Sequence, residues 1–264
     1  MKYQITSSKL QTIPKLQFIN FNIVICLLFV IWILGFTALA ETKAYDGVWF
    51  LGFNVKRPPF NQLAVRQAVA HSIDKDYIAS KIIGDEQIPA GFIPPGMLGS
   101  DPTLKPYKTN LAFAKKLIKK AKLTNKKISL LHTDGVKTLE IAKKISSDLK
   151  ALGFTVTLVQ VSFRDEKKWA ELLASKNYPL FLMGYKADET EGTPDTATLL
   201  GPLFKSRGDA NFSGYGYAKT DKLFSQISLV PLSSAKEREM TLKKIGQILY
   251  RDLPGLVLFY IEKL

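Results

Sequence analysis

The chain has 264 residues, an apolar content of 46% and a formal net charge of +14. This length accommodates one large domain or two small ones with a packed core. Its single cysteine, Cys26, excludes an intramolecular disulfide and a metal site built from several cysteines. The basic charge admits nucleic acid, an anionic membrane surface or acidic ligands as partners, but the lysines are scattered along the chain, which favours a solvated lysine-rich surface.

The N-terminal segment predicts export. Lysines precede an apolar run over residues 23–40, which ends in Ala-Leu-Ala and is followed by polar residues. This order is typical of a secretory signal peptide. The run is also nearly long enough to span a bilayer, so an uncleaved transmembrane anchor is the alternative. Both interpretations place residues 41–264 in the periplasm or on the outer face of the cytoplasmic membrane, and no nucleic-acid partner is expected.

After Gly47, short strand patterns alternate with helical patterns. Strands are predicted over residues 48–54, 127–131, 154–161, 178–184 and 256–261. Helices are predicted over residues 61–72, 75–83, 109–121, 136–152, 165–175, 195–204, 220–229 and 233–253. Asn61 and Asp74 are predicted N-caps, and Gly153 is a predicted helix stop. Residues 84–108, rich in proline and glycine, are predicted to be irregular.

Strands separated by helices indicate an α/β fold with a mainly parallel or mixed sheet. The same sequence offers little for catalysis or for binding metal. It has no Gly-x-Ser-x-Gly motif, and its two histidines do not have metal-ligand spacing. His71 is interpreted as a packed or surface helix residue, and His132 as a loop residue before a turn. We expect no metal, no cofactor and no enzymatic activity.

The segment GYKADETEGTPD, residues 184–195, follows a predicted strand. Its acidic residues are Asp188, Glu189, Glu191 and Asp195. In open α/β sheets, ligands bind outside the carboxyl ends of the strands. A carboxylate of this segment can hold a ligand ammonium, and Tyr185 can supply a stacking wall. The alternative is a solvated acidic loop in which Asp195 caps the next helix.

Several motifs follow one another in a recognisable order after Tyr45. The first is FLGFNVKRPPFNQLAVRQAVAHSIDKDYI, at residues 50–78. The later ones are PAGFIPPGM, AKKLIKKA, MGYKADETEGTPD, the Tyr-x-x-x-Asp of Tyr217 and Asp221, and LPGLVL. This series resembles the middle and C-terminal part of the family 5 solute-binding proteins of ABC transporters, the peptide-, dipeptide- and nickel-binding group.

The resemblance implies a type II periplasmic-binding-protein-like lobe that captures a solute and presents it to an ABC permease in the membrane. In peptide-binding members, the acid of a Gly-Trp-x-x-Asp segment pairs with the α-ammonium of the ligand. That acid corresponds to Asp188, and Tyr185 replaces the tryptophan. Asp188 and Tyr185 are therefore the predicted ligand-binding residues, and Arg66 is expected to belong to the scaffold. Whether the ligand is a peptide, a nickel complex or another solute stays open.

Family members are considerably longer and bind their ligand between two lobes. The matched motifs cover only the C-terminal lobe, so we expect residues 41–264 to form one truncated lobe that works with a chain supplying the missing one. A membrane-anchored interaction or assembly module, or a non-functional remnant of a binding protein, is the alternative. An exported enzyme is motivated only by the acidic segment.

Overall fold

The computed structural model describes residues 43–84, 87–190 and 192–263. The chain divides into two compact units, residues 1–43 and 44–264, and the second contains all the described residues except Lys43. The predicted signal peptide or anchor over residues 1–40 lies outside the described residues. Within the described part of the chain, no helix is both long enough and apolar enough for a membrane crossing.

A five-stranded mixed sheet forms the centre of the second unit. The strands in chain order are β1 (Tyr45–Phe53), β2 (Lys127–Thr133), β3 (Thr155–Val161), β4 (Leu180–Lys186), β5 (Glu189–Thr190), β6 (Thr193–Pro194) and β7 (Gly255–Glu262). The order in the sheet is β3-β2-β4-β1-β7, and β5 pairs with β6 separately. Strands β2, β3 and β4 are parallel, whereas β1 is antiparallel to both β4 and β7. The predicted α/β fold with a mixed sheet is confirmed.

Helices connect and flank these strands. They are α1 (Leu63–Ala70), α2 (Lys75–Tyr77), α3 (Leu111–Ala121), α4 (Val136–Ala151), α5 (Glu166–Ala174), α6 (Thr196–Phe204), α7 (Ala218–Ile227) and α8 (Ala235–Asp252). Helix α2 continues as a π-helix over Ile78–Ile83, which ends at Gly84 in the left-handed region. Residues 87–110 contain no helix or strand, as predicted for this proline-rich excursion.

Most of the predicted helix ends are confirmed. The Asp74 carboxylate accepts a hydrogen bond from Tyr77 N, and Gly153 follows α4 with a φ of 87°. The prediction of Asn61 as an N-cap was wrong, because α1 begins at Leu63. The Asn61 amide instead donates to the Arg57 carbonyl at 2.9 Å, in a turn that delays the start of the helix.

The interpretation of His132 as a loop residue was also wrong. Strand β2 pairs with β3 as far as Thr133, so His132 lies within the ladder opposite Gln160. Its side chain is completely buried. Residues 133–135 favour a turn, but pairing with β3 extends β2 through Thr133, because each additional residue pair satisfies further backbone hydrogen-bonding groups.

Arg66 is a structural residue, as the resemblance implied. Its buried guanidinium donates to the carbonyl of Phe60 at 2.7 Å and to those of Asp252 and Leu253 at 2.7 and 2.9 Å. The last carbonyls of a helix have no partner within the helix and need donors from elsewhere. Arg66 therefore joins the start of α1 to the end of α8, and burial lowers the pKa of its guanidinium.

Replacement of Arg66 by methionine should lower the free energy of unfolding by about 3 kcal/mol, because buried carbonyls lose a charged donor. Urea denaturation monitored by circular dichroism measures this loss. The matched control is R164M, since Arg164 is exposed and its guanidinium lies over the Phe163 ring. We expect R164M to change stability by less than about 0.5 kcal/mol. Equal losses in the two variants would contradict the structural role of Arg66.

Lys75 is a second cation in the interior. Only 2% of the residue is exposed, and its ammonium donates to the Pro89 carbonyl at 2.8 Å. Burial lowers the pKa of this amine from 10.5 to about 8. The interaction holds the irregular segment against the π-helical region at the cost of a desolvated charge.

The destabilisation caused by burying the charged Lys75 amine should disappear at alkaline pH, because the amine is then neutral. The amine titrates near pH 8 in the folded chain and near 10.5 when unfolded, so the unfolded chain binds more protons between these values. The free energy of unfolding of the wild type relative to K75M should therefore rise by about 3 kcal/mol across this interval. Chemical denaturation of both proteins at a series of pH values measures the difference. If the free energies of unfolding of the two proteins changed equally with pH, Lys75 would not be desolvated in the folded chain.

Candidate ligand-binding site

The carboxyl ends of β2, β3 and β4 lie at one edge of the sheet, because these strands are parallel. Strand β1 starts at the same edge, where Gly47 pairs with Lys186 near the end of β4. Side chains of the connections that follow β2, β3 and β4 therefore gather there. This carboxyl edge is where ligands bind in open α/β sheets.

Strand β4 brings both predicted ligand-binding residues to this edge. Tyr185 lies in β4 opposite Val48 and is half-buried. Burial raises the pKa of its phenol, with a further contribution from the negative charges of Asp209 and Asp188. Asp188 lies just beyond the end of β4, and its side chain is exposed. The structure thus places a half-buried aromatic ring and an exposed carboxylate at the same end of β4.

The backbone of Asp188 is held by the start of α6. Its amide donates to the Thr198 hydroxyl at 2.8 Å, and its carbonyl accepts from the Asp195 amide at 3.0 Å. The short β5–β6 ladder closes the loop between Asp188 and Asp195. This arrangement fixes the main chain of Asp188 without using its carboxylate.

Asp195 has a structural role. Its carboxylate accepts from the Ala197 amide at 2.9 Å, which confirms it as the N-cap of α6. The same carboxylate accepts two hydrogen bonds from Arg238, at 3.2 and 3.3 Å. Arg238 is buried and also donates to the carbonyls of Ile227 and Val230. This ion pair ties the acidic loop to α7 and α8.

The remaining charges at the edge are paired in a way that leaves Asp188 available. Glu189 binds the Lys263 ammonium at 2.8 Å, and this hydrogen bond lowers the pKa of Glu189. Lys186 binds Asp46 at 2.7 Å. Glu191 lies outside the described residues. Asp188 is therefore the one described acid of this segment whose carboxylate has no hydrogen bond or ion pair to another described residue.

Two residues near this edge were missed by the sequence interpretation. The Trp49 indole packs over Gly184 and is stacked on Phe259, with a ring separation of 5.8 Å. Its Nε1 atom is buried and has no hydrogen-bond partner among the described residues, and the same holds for Oδ1 of Asp46. Buried polar atoms normally bind water, ligand or protein. Only the register of β1 against β4 reveals this unused capacity, so no sequence motif could have indicated it.

Both histidines contact a backbone carbonyl. His71 donates through Nδ1 to the Lys108 carbonyl at 2.8 Å and packs edge-on against Tyr107 and Phe113. His132 makes a comparable Nδ1 contact with the Thr133 carbonyl, while its Nε2 has no partner in the described structure. Across the described residues, no three His, Cys, Asp or Glu side chains come together as potential metal ligands.

Comparison with known proteins agrees with this architecture. Residues 19–211 match the model for bacterial extracellular solute-binding proteins, family 5 Middle. Di/tripeptide-binding protein 2 of Pseudomonas aeruginosa is 28% identical over 218 residues, which cover 78% of this chain and 38% of that protein. A probable deoxycholate-binding periplasmic protein of Escherichia coli is 25% identical over 80% of this chain and 39% of its own length.

Solved structures show the same fold. The periplasmic binding protein DppA of Helicobacter pylori, solved with the peptide STSA, superimposes with a TM-score of 0.73 at 25% identity. The match covers 83% of this chain and 43% of that protein. This chain thus spans about two fifths of the length of the curated relatives named above. It belongs to the family 5 bacterial extracellular solute-binding proteins, which bind solutes and are not enzymes.

Proposed function

We propose that residues 41–264 form one lobe of an extracytoplasmic solute-binding protein that delivers peptides to an ABC importer. The observation that carries this proposal is the availability of the Asp188 carboxylate at the carboxyl edge of the sheet, while Glu189 and Asp195 are paired within the lobe. The names of the Pseudomonas relative and of the H. pylori complex, both of which refer to peptides, support the ligand class.

In this proposal Asp188 pairs with the ligand's α-ammonium, and Tyr185 forms a wall beside it. An ammonium that loses its water on binding needs a carboxylate partner, and a charge-assisted hydrogen bond supplies it. The anchored backbone of Asp188 lowers the entropic cost of binding, since the acceptor is already positioned.

A second lobe completes the cleft in this proposal. Two-lobed binding proteins close around their ligand by a hinge motion. The second lobe is supplied either by further residues of a longer polypeptide or by a separate chain. A membrane permease then receives the solute from the closed form, and this chain itself catalyses no step.

A tripeptide with a free N-terminus, such as Ala-Phe-Ala, should raise the melting temperature of the chain. At a concentration about 100 times the dissociation constant, the gain of about 2.7 kcal/mol corresponds to about 5–10 °C. D188N should lose most of this shift, because the amide cannot neutralise an ammonium. The matched control is E239Q on α8, where Glu239 is exposed and should leave the shift unchanged.

The N-acetylated tripeptide separates the ammonium site from general peptide binding. It should leave the melting temperature of the wild type and of both variants unchanged. An equal shift with the free and the acetylated peptide would contradict the pairing with Asp188. If no peptide raised the melting temperature of the wild type, binding by this lobe would be contradicted.

A membrane-anchored interaction or assembly module is the second candidate function, favoured by the apolar run over residues 23–40. The solute-binding proposal expects export and cleavage after Ala40, so that the mature protein begins at Glu41. Intact-mass measurement of the protein recovered from expressing cells tests this directly. Retention of residues 1–40 in a membrane fraction would favour the anchored module.

A further inference from the structure

A cavity lies at the opposite end of the sheet from Asp188. Its volume is about 370 Å³. It is formed where β1 ends and β4 is about to begin, together with the connection between α6 and α7. The residues that define this basic cavity are Asn54, Lys56, Arg57, Lys176, Ser206 and Gly214.

Three cations line the basic cavity, and no carboxylate does. Lys56 and Lys176 are exposed and form no ion pair with any described residue. The Arg57 guanidinium donates to the neutral Asn177 side chain at 2.8 Å and likewise has no described acid as a partner. At the other end of the sheet, Lys186 and Lys263 each bind an acid. The positive charge of the basic cavity is therefore left uncompensated by its own walls.

The backbone of the basic cavity is held in place. Asn54 is buried, donates to the Lys176 carbonyl at 2.8 Å and accepts from the Lys56 amide at 3.1 Å. The Asn54 side chain thus connects the two segments that carry Lys56 and Lys176. Gly214 has a φ of 66°, and a Cβ there would approach Lys56 Cγ to 3.1 Å. Glycine at this position keeps the wall open beside Lys56.

Asp221 contacts the lining through Ser206. Its carboxylate accepts hydrogen bonds from the amide and the hydroxyl of Ser206 and forms no ion pair with Lys56 or Lys176 of the described chain. The Lys56 ammonium lies 6.0 Å from the centre of the Tyr217 ring, which contributes no negative charge. A guanidinium and two ammonium groups around one cavity favour an oxyanion that accepts several charged hydrogen bonds.

We propose that the basic cavity binds a phosphate monoester. A dianionic phosphoryl group matches three surrounding cations better than a carboxylate does, and its tetrahedral oxygens accept from Arg57 and from both lysines. The volume lies within the range of small-molecule sites, which leaves room for a substituent on the phosphate. The site is separate from the peptide site and does not depend on the proposed function.

Isothermal titration calorimetry of the 264-residue chain with glycerol 1-phosphate, at constant ionic strength, tests this site. The double variant K56M/K176M removes two cations of the basic cavity. The matched control K119M/K120M removes two exposed lysines of α3 and has the same net charge. We expect saturable one-to-one binding by the wild type and the control, and at least about tenfold weaker binding by K56M/K176M.

Melting temperatures in chloride buffer should be equal for the three proteins, because all four lysines are exposed. Equal weakening in both double variants would show a general charge effect and overturn the site, as would absence of binding to the wild type.

A phosphate monoester is present both in soluble esters and in the headgroup of phosphatidic acid. Sedimentation with phosphatidylcholine vesicles, with and without phosphatidic acid, distinguishes the two sources. Recruitment by phosphatidic acid that K56M/K176M loses and K119M/K120M keeps identifies a lipid headgroup. Calorimetric binding without such recruitment identifies a soluble ester, and recruitment that both double variants lose equally overturns the lipid source.

Discussion

Strand β1 runs antiparallel to both of its neighbours, β4 and β7, in a sheet whose β2, β3 and β4 are parallel. Because of this reversal, β1 starts at the edge where the parallel strands end. Its side chains are buried on both faces, with Phe50 packed against Phe92 and Phe181 and Phe53 against Phe60. Strand β1 therefore starts at the carboxyl edge near Asp188 and ends at the basic cavity.

Buried cations connect this sheet to the segments around it. Arg66 holds the end of α8 against the start of α1, and Arg238 holds the acidic loop through Asp195. Each guanidinium also satisfies backbone carbonyls that helices leave without partners. Much of the positive charge of the interior is thus structural, whereas the scattered surface lysines contribute little to the fold.

Pairing also determines which carboxylate of the acidic segment can meet a ligand. Glu189 is bound by Lys263 and Asp195 by Arg238, so Asp188 is the described acid of the segment whose carboxylate has no hydrogen bond or ion pair to another described residue. Membership of the solute-binding family fits this arrangement, and the coverage of about two fifths of the relatives' length fits a single lobe. The basic cavity at the opposite end has the reverse composition, with cations that no acid pairs.

The sequence by itself determined the α/β alternation, most helix ends and the family, because hydrophobic periodicity, caps and short motifs depend on residues close together in the chain. The resemblance of residues 184–188 to the Gly-Trp-x-x-Asp segment of the family also indicated Asp188 and Tyr185. The strand position of His132, the unused Trp49 Nε1 and the basic cavity were decided only by the tertiary structure. The reason is physical: these features arise from partners such as β3, β4 and Lys176, which lie far away in the sequence and meet only when the sheet forms.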